Sequence, residues 1–138
     1  MMEINSKKVI IDEIFPSNPL NKYSIINKII NKIKECSIPK CIDYDEVYLI
    51  IDEALTNAME HGNNWDPHKN VKVIVTHNDD YLLITIEDEG KGFNTENYKY
   101  TKVNNLDDRG RGIHIIKHFC NPYWNSTGNQ INFSIDIE

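Results

Sequence analysis

The sequence of 138 residues has no apolar run that approaches the length of a membrane span. Such a span needs roughly 18 consecutive apolar residues. The first residues also lack the long apolar region and the small-residue cleavage site of a signal peptide. We therefore expect a cytoplasmic protein that does not associate with membranes.

Basic residues are in the minority, because 15 Lys and Arg stand against 21 Asp and Glu, for a formal net charge of -6. Binding to duplex nucleic acid rests largely on neutralising phosphates with a basic face. This composition therefore argues against a direct nucleic-acid partner. The three cysteines are few and odd in number, which argues against a disulfide framework.

Two common nucleotide-binding patterns are missing as well. The sequence has no GxxxxGK[ST] P-loop, and no GxGxxG follows the first predicted strand. If a nucleotide binds to this chain, another architecture has to hold it.

The pattern of apolar residues predicts a single domain over residues 1–138, with elements in the order β, α, α, β, β, lid, α, β, β. The first strand ends at Pro16, and a helix follows over residues 18–36. A second helix, capped by Asp43 or Asp45, runs to His61. A β-hairpin takes residues 71–88, a polar lid takes 94–108, a third helix follows the lid, and two strands flank Gly128. This order fits a sheet covered on one face by helices.

In the second helix, Glu53, Asn57 and His61 recur at intervals of four. At about 100° per residue they lie along a line that borders the apolar sector of the helix. One interpretation is a solvated helix edge on which Glu53 and Asn57 hydrogen-bond each other. The other is a cleft, in which the Asn57 oxygen binds Mg²⁺ and Glu53 orients or deprotonates a hydroxyl or water. His61 is the weakest member of the row, and a histidine at a helix end is more often not a ligand.

Two glycine-rich corners follow in the sequence. Asp88 comes at a strand end and precedes Gly90 and Gly92, which would allow the backbone to come close to a flat ligand. The Asp88 carboxylate would accept a hydrogen bond from an amino group of that ligand. A plain β-turn is the alternative. The second corner, RGRGI at residues 109–113, opens a predicted helix, so that amide groups and the positive helix end form a seat for an anion. Its arginines suit phosphate oxygens, although pairing with Asp107 or Asp108 is an alternative.

Taken in order, three segments resemble the motifs of the GHKL superfamily of histidine kinase-like ATPases. EALTNAMEHG at residues 53–62 is similar to its N box, DEGKGF at 88–93 to its first glycine box, and RGRGIHII at 109–116 to its second. The resemblance implies a Bergerat-type ATP-binding fold, which is an α/β (α+β two-layer) sandwich. In that fold a mixed, mostly antiparallel sheet is covered on one face by three helices.

Within the superfamily, the forms DEALTNAxEHG and GRGI are most similar to the bacterial anti-sigma factor serine/threonine kinases of the RsbW and SpoIIAB type. This resemblance implies a homodimer that binds ATP with Mg²⁺, holds a sigma factor inactive and phosphorylates a STAS-type anti-anti-sigma protein. It also implies that Glu53 is the catalytic carboxylate, Asn57 the Mg²⁺ ligand and Asp88 the reader of the adenine amino group. The implied ATP-binding residues are Asn57, His61, Asp88, Gly90, Gly92, Arg109, Gly110, Arg111, Gly112 and Ile113.

Three points stay open at this level. Many relatives have a threonine beside the adenine near the last turn, where this chain has GNQIN, so that either Asn129 or Gln130 takes its place. A nucleotide-gated binding module without kinase activity is the alternative function, although such a module has no need of Glu53. The third possible function is that of the catalytic domain of a longer histidine kinase. The absence of a dimerisation helix with a phosphoacceptor histidine argues against it.

Overall fold

A computed structural model describes residues 7–36, 38, 42–91 and 122–137. In this part of the chain, two helices cover one face of a five-stranded sheet. The strands are β1 (Lys8–Pro16), β2 (Asn70–His77), β3 (Tyr81–Glu87), β4 (Tyr123–Trp124) and β5 (Gln130–Asp136), and the helices are α1 (Lys22–Lys34) and α2 (Tyr44–Thr56). The predicted α/β fold is therefore confirmed, whereas the predicted lid and third helix lie outside the described residues.

The sheet has the strand order β1, β2, β3, β5, β4, and every pairing between its described strands is antiparallel. The predicted hairpin is formed by β2 and β3. Its turn is closed by the side-chain oxygen of Asn78, which accepts hydrogen bonds from the N–H groups of Asp80 (2.7 Å) and Tyr81 (3.0 Å). The alternation of buried residues along both strands places one face of the hairpin in the core.

The helices bury the apolar faces that the sequence predicts. In α1 the buried residues are Ile25, Ile26, Ile29, Ile30 and Ile33, and in α2 they are Val47, Ile50, Ile51, Ala54 and Leu55. All belong to one hydrophobic core together with the inward residues of the sheet. No helix in the described ranges has the length and apolar character needed to cross a bilayer.

The start of α2 is capped by Asp43, which decides between the two predicted caps. Its carboxylate accepts hydrogen bonds from the N–H groups of Asp45 (3.1 Å) and Glu46 (3.2 Å). These are two of the donors that a helix leaves without partners at its first turn.

The beginning of α1 is tied to the middle of α2 by Lys22. Its ammonium group lies 2.9 Å from Asp52 Oδ1 and donates to Thr56 Oγ1 at 3.0 Å. Burial lowers the pKa of Lys22, but the hydrogen bond and charge of Asp52 outweigh this effect, so that the pKa lies above its ordinary value. The tie therefore holds α1 against the turns of α2 that carry the candidate site residues.

Candidate functional site

Glu53 lies on the last turn of α2, and Asn57 directly follows that helix; both are half-buried at the border of the core. The N–H of Asn57 bonds to the carbonyl groups of Glu53 and Ala54, so that helical geometry is kept between the two residues. Residues four apart on a helix have their Cβ atoms about 5–6 Å apart. The helix thus presents a carboxylate and a carboxamide side by side.

The row of period four changes before it reaches His61, because residues Asn57–Gly62 form a π turn. The N–H of Asn63 donates to the carbonyl of Ala58 at 2.9 Å, which spans five residues. Single turns of this type are often found at functional sites. Nε2 of His61 is 3.9 Å from the nearest carboxylate oxygen of Glu60, which is too long for a hydrogen bond. His61 therefore falls off the regular helical line that joins Glu53 to Asn57.

The chain turns sharply after the π turn. Asn64 and Trp65 have φ values of 54° and 56°, in the left-handed region that residues other than glycine rarely adopt. Backbone hydrogen bonds hold this conformation, from the N–H of Asn64 to Glu60 (2.9 Å) and from that of Trp65 to Met59 (2.7 Å). Such strain persists where the surroundings impose it. The residue before this pair, Asn63, is fully buried.

Asp88 follows β3 directly, and its carboxylate lies against the backbone of Gly62. A Cβ atom on Gly62 would collide with this carboxylate, and one on Gly90 would collide with the carbonyl of Gly62. Asp88 Oδ1 accepts a hydrogen bond from the N–H of Gly90 at 2.7 Å. The end of the π turn and the first glycine corner therefore touch, and glycines at both positions make the contact possible.

The backbone of Asp88 is paired with Asn129, in the turn before β5. The N–H of Asp88 donates to the carbonyl of Asn129 at 2.9 Å, and Nδ2 of Asn129 donates to the carbonyl of Asp88 at 3.0 Å. Gln130 instead accepts a hydrogen bond from Asn132 at 3.1 Å. Of the two residues left open by the sequence, Asn129 is thus the one that contacts Asp88.

Asn63 supports the same corner from the other side. Its Oδ1 accepts the N–H of Glu89 at 2.8 Å, while its Nδ2 donates to Ser17 Oγ (2.7 Å) and to the carbonyl of Asn70 (3.0 Å). The sequence analysis missed this residue, because NNWDPHK reads as a polar stretch that ends a helix. The left-handed residues and the partner 46 positions away are invisible in local patterns.

The structure describes only some of the predicted site residues. Six of the predicted residues lie outside the described residues: Gly92, Arg109, Gly110, Arg111, Gly112 and Ile113. In the part of the chain that the structure describes, no three His, Cys, Asp or Glu side chains are grouped so that they could hold a metal ion. The described part of the site therefore consists of Glu53 and Asn57, at the end of α2 and directly after it, and the Asp88 corner, which contacts Gly62.

Comparison with known proteins agrees with this arrangement. Residues 15–135 match the family model of the histidine kinase-like ATPase domain. The sensor protein VraS of Staphylococcus aureus (strain COL) is 38% identical over 69 residues, which are 50% of this chain and 18% of that protein. VraS of Staphylococcus epidermidis (strain ATCC 12228) is 36% identical over 69 residues, which are again 50% of this chain and 18% of that protein. The matched segment thus spans less than a fifth of these curated relatives.

Proposed function

Because the chain belongs to the family of histidine kinase-like ATPase domains, whose model covers residues 15–135, we propose that it binds ATP with Mg²⁺ and transfers phosphate to a protein. The specific proposal is an anti-sigma factor kinase that phosphorylates a serine or threonine of a STAS-type protein and sequesters a sigma factor. The membership confirms the resemblance to the superfamily. The finer group, the protein partners, the homodimer and the cytoplasmic location stay predictions.

The contact between Gly62 and Asp88 is the observation that supports a nucleotide site. It joins the helix that carries Glu53 and Asn57 to the strand end whose carboxylate would accept an adenine amino group. Gly62 follows Glu53 by nine residues, about 13.5 Å along a helix at a rise of 1.5 Å per residue. That span is comparable with an extended nucleoside triphosphate, so that the base and the terminal phosphate fit at its two ends.

The side chains on α2 suit the phosphate end. The Asn57 carboxamide oxygen is a hard ligand of the type Mg²⁺ accepts, and this ion usually keeps water and phosphate oxygens as its other ligands. ATP supplies the phosphoryl group when bound. Glu53, one turn before Asn57, would accept the proton of the substrate hydroxyl.

Two other functions remain as candidates. The likeness to VraS, a sensor protein, favours service as the ATP-binding part of a histidine kinase. A nucleotide-gated binding module without phosphate transfer would use Asp88 and Asn57 but not Glu53. Acid treatment separates the first alternative from the proposal, because phosphohistidine is hydrolysed in acid whereas phosphoserine and phosphothreonine survive it.

The test is to incubate the protein with Mg²⁺, radiolabelled ATP and the STAS proteins encoded in the same genome. Acid-stable label on a STAS protein supports the proposal. Acid-labile label on a histidine kinase dimerisation domain added to a parallel reaction supports the histidine kinase, and tight ATP binding without label in either reaction supports the gated module. Glu53→Gln should abolish transfer and spare ATP affinity, whereas Glu46→Gln, at the start of the same helix, should retain both transfer and ATP affinity. Transfer at the native rate by Glu53→Gln would show that the assignment of the proton acceptor is wrong.

A further inference from the structure

One peptide group beside Asp88 is held at both of its polar atoms by asparagine side chains. This group, termed the 88–89 peptide, joins Asp88 to Glu89. Its carbonyl oxygen accepts a hydrogen bond from Asn129 Nδ2 at 3.0 Å, and its N–H donates to Asn63 Oδ1 at 2.8 Å. The two asparagines come from different elements, one after the π turn and the other before β5. The peptide is therefore restrained against rotation from two sides.

Asn63 is itself held rigidly. Its side chain is fully buried, as is that of its partner Ser17. Both of its N–H donors are used, one by Ser17 Oγ at 2.7 Å and the other by the carbonyl of Asn70 at 3.0 Å. An amide turned by 180° would set its oxygen against the Asn70 carbonyl, which has no proton to donate. The oxygen of Asn63 thus faces the 88–89 peptide.

Asn129 is oriented by its neighbour in the turn. Asn125 Nδ2 donates to Asn129 Oδ1 at 2.7 Å, which leaves Nδ2 of Asn129 to face the 88–89 peptide. Asn125 is fixed in turn, because its Oδ1 accepts the N–H groups of Gly128 (2.7 Å) and Asn129 (3.1 Å). The side chain of Asn129, like that of Asn63, is therefore held in place by its own hydrogen bonds.

The orientation of this peptide is coupled to that of the Asp88 carboxylate. Asp88 Oδ1 accepts a hydrogen bond from the N–H of Gly90 at 2.7 Å. This N–H belongs to the next peptide along the chain, which joins Glu89 to Gly90. A rotation of the 88–89 peptide would move this N–H and release the carboxylate. A binding group that must be ordered by its ligand binds more weakly than one that is already in place.

We propose that Asn63 and Asn129 are positioning residues that fix the Asp88 carboxylate for recognition of an adenine amino group. The inference rests on the proposed nucleotide site. Both asparagines act on the corner at Asp88, whereas Glu53 and Asn57 lie at the end of α2 and directly after it. Their loss should therefore weaken recognition of the base and leave the phosphate end little changed.

Inosine triphosphate is the probe that separates these effects, because it carries a carbonyl oxygen in place of the adenine amino group. Dissociation constants for ATP and inosine triphosphate are measured by calorimetry with Mg²⁺ present, for the wild-type chain, Asn63→Ala and Asn129→Ala. The control is Asn132→Ala. Asn132 is also buried, and its side chain bonds to Thr85 Oγ1 (2.6 Å) and Gln130 Oε1 (3.1 Å).

The wild-type chain should prefer ATP. Each of the two positioning variants should lose about tenfold in ATP affinity, as expected for a lost buried hydrogen bond, with little change for inosine triphosphate. Asn132→Ala should keep the wild-type ratio of the two constants. A general loss of structure would weaken both nucleotides in proportion, so that the ratio reports on positioning.

An unchanged ratio in both variants, or a proportional loss of both nucleotides, would overturn the inference and leave the proposed function standing. A wild-type chain that binds neither nucleotide would overturn the proposed function and the inference with it. Equal wild-type binding of the two nucleotides would overturn the role of Asp88 and, again, the inference. If Asn63→Ala fails to fold, Asn129→Ala decides alone, because Asn129 is half-exposed in a surface turn.

Discussion

Replacing Gly62 with alanine tests the contact between the π turn and the Asp88 carboxylate. The added methyl group would overlap the carboxylate, which is the end of a short side chain and is able to turn away. By turning, it would give up the hydrogen bond from the N–H of Gly90, which is 2.7 Å long. The substitution therefore displaces the one group that is proposed to read the base.

The stability of the variant should change little. Loss of a hydrogen bond at a half-exposed carboxylate costs about 1 kcal/mol, since water replaces the partner. Alanine is favoured over glycine in a helical turn by about 1 kcal/mol, which offsets this loss. We expect a net change within about 1 kcal/mol, whereas ATP affinity should fall by at least about tenfold, or 1.4 kcal/mol of binding free energy.

Gly90→Ala provides the matched comparison. Its Cβ atom would meet the backbone carbonyl of Gly62, which is unable to turn away without separating the two segments. Overpacking of this kind costs about 1–3 kcal/mol. Gly90→Ala should therefore lower both stability and ATP affinity, whereas Gly62→Ala should lower affinity alone.

Urea denaturation followed by circular dichroism gives the free energies of unfolding, and calorimetry gives the ATP affinities. Native ATP affinity in a folded Gly62→Ala variant would refute the reasoning, because the carboxylate would then not be used where the structure places it. Equal stability of Gly90→Ala and the wild-type chain would refute the backbone clash.

Two further predictions concern stability, and urea denaturation measures both. Lys22→Met should lower the free energy of unfolding by about 1–3 kcal/mol, because Asp52 Oδ1 is buried and loses its partner, while exposed Lys32→Met should not. The pKa of Lys22 is raised from 10.5, so the Lys22→Met deficit should be complete below pH 10.5 and shrink as pH rises through the higher folded pKa; a deficit constant to high pH would contradict this. Asn64→Gly should raise the free energy of unfolding by roughly 0.5 kcal/mol, because its φ of 54° suits glycine, and Asn64→Ala should lower it; the same sign for both would argue against left-handed strain.

Much of the fold follows from local patterns in the sequence. The isoleucines of α1 recur at helical spacing, and the alternating residues of β2 and β3 mark a half-buried hairpin, so that both were predicted near their observed bounds. For the cap of α2, the sequence left two candidates, Asp43 and Asp45. The cap is the aspartate whose carboxylate reaches the N–H groups of the first turn. Asp43 does so because its φ and ψ angles are extended rather than helical, which local sequence patterns do not reveal.

The site was predictable where its residues share one element. Glu53 and Asn57 sit four apart on one helix, so their proximity is a matter of helical geometry alone. The contact of Gly62 with Asp88 joins residues 26 positions apart and depends on how α2 packs against the sheet. The role of Asn63 depends in addition on two left-handed residues that follow it, neither of which is a glycine. Propensity offers no warning of such a conformation, since the surrounding structure imposes it.

The closure of the π turn determines the direction in which Asn63 points when the chain reaches the Asp88 corner. A turn closed by i→i+5 bonds takes up one residue more than a turn of α-helix. If the same residues closed with the i→i+4 bonds of an ordinary helix, Asn63 would arrive displaced by one helical position, about 100° around the helix axis. Its oxygen would no longer face the 88–89 peptide. The i→i+5 closure of Asn57–Gly62, as much as the side chains at the Asp88 corner, therefore brings the oxygen of Asn63 to that corner.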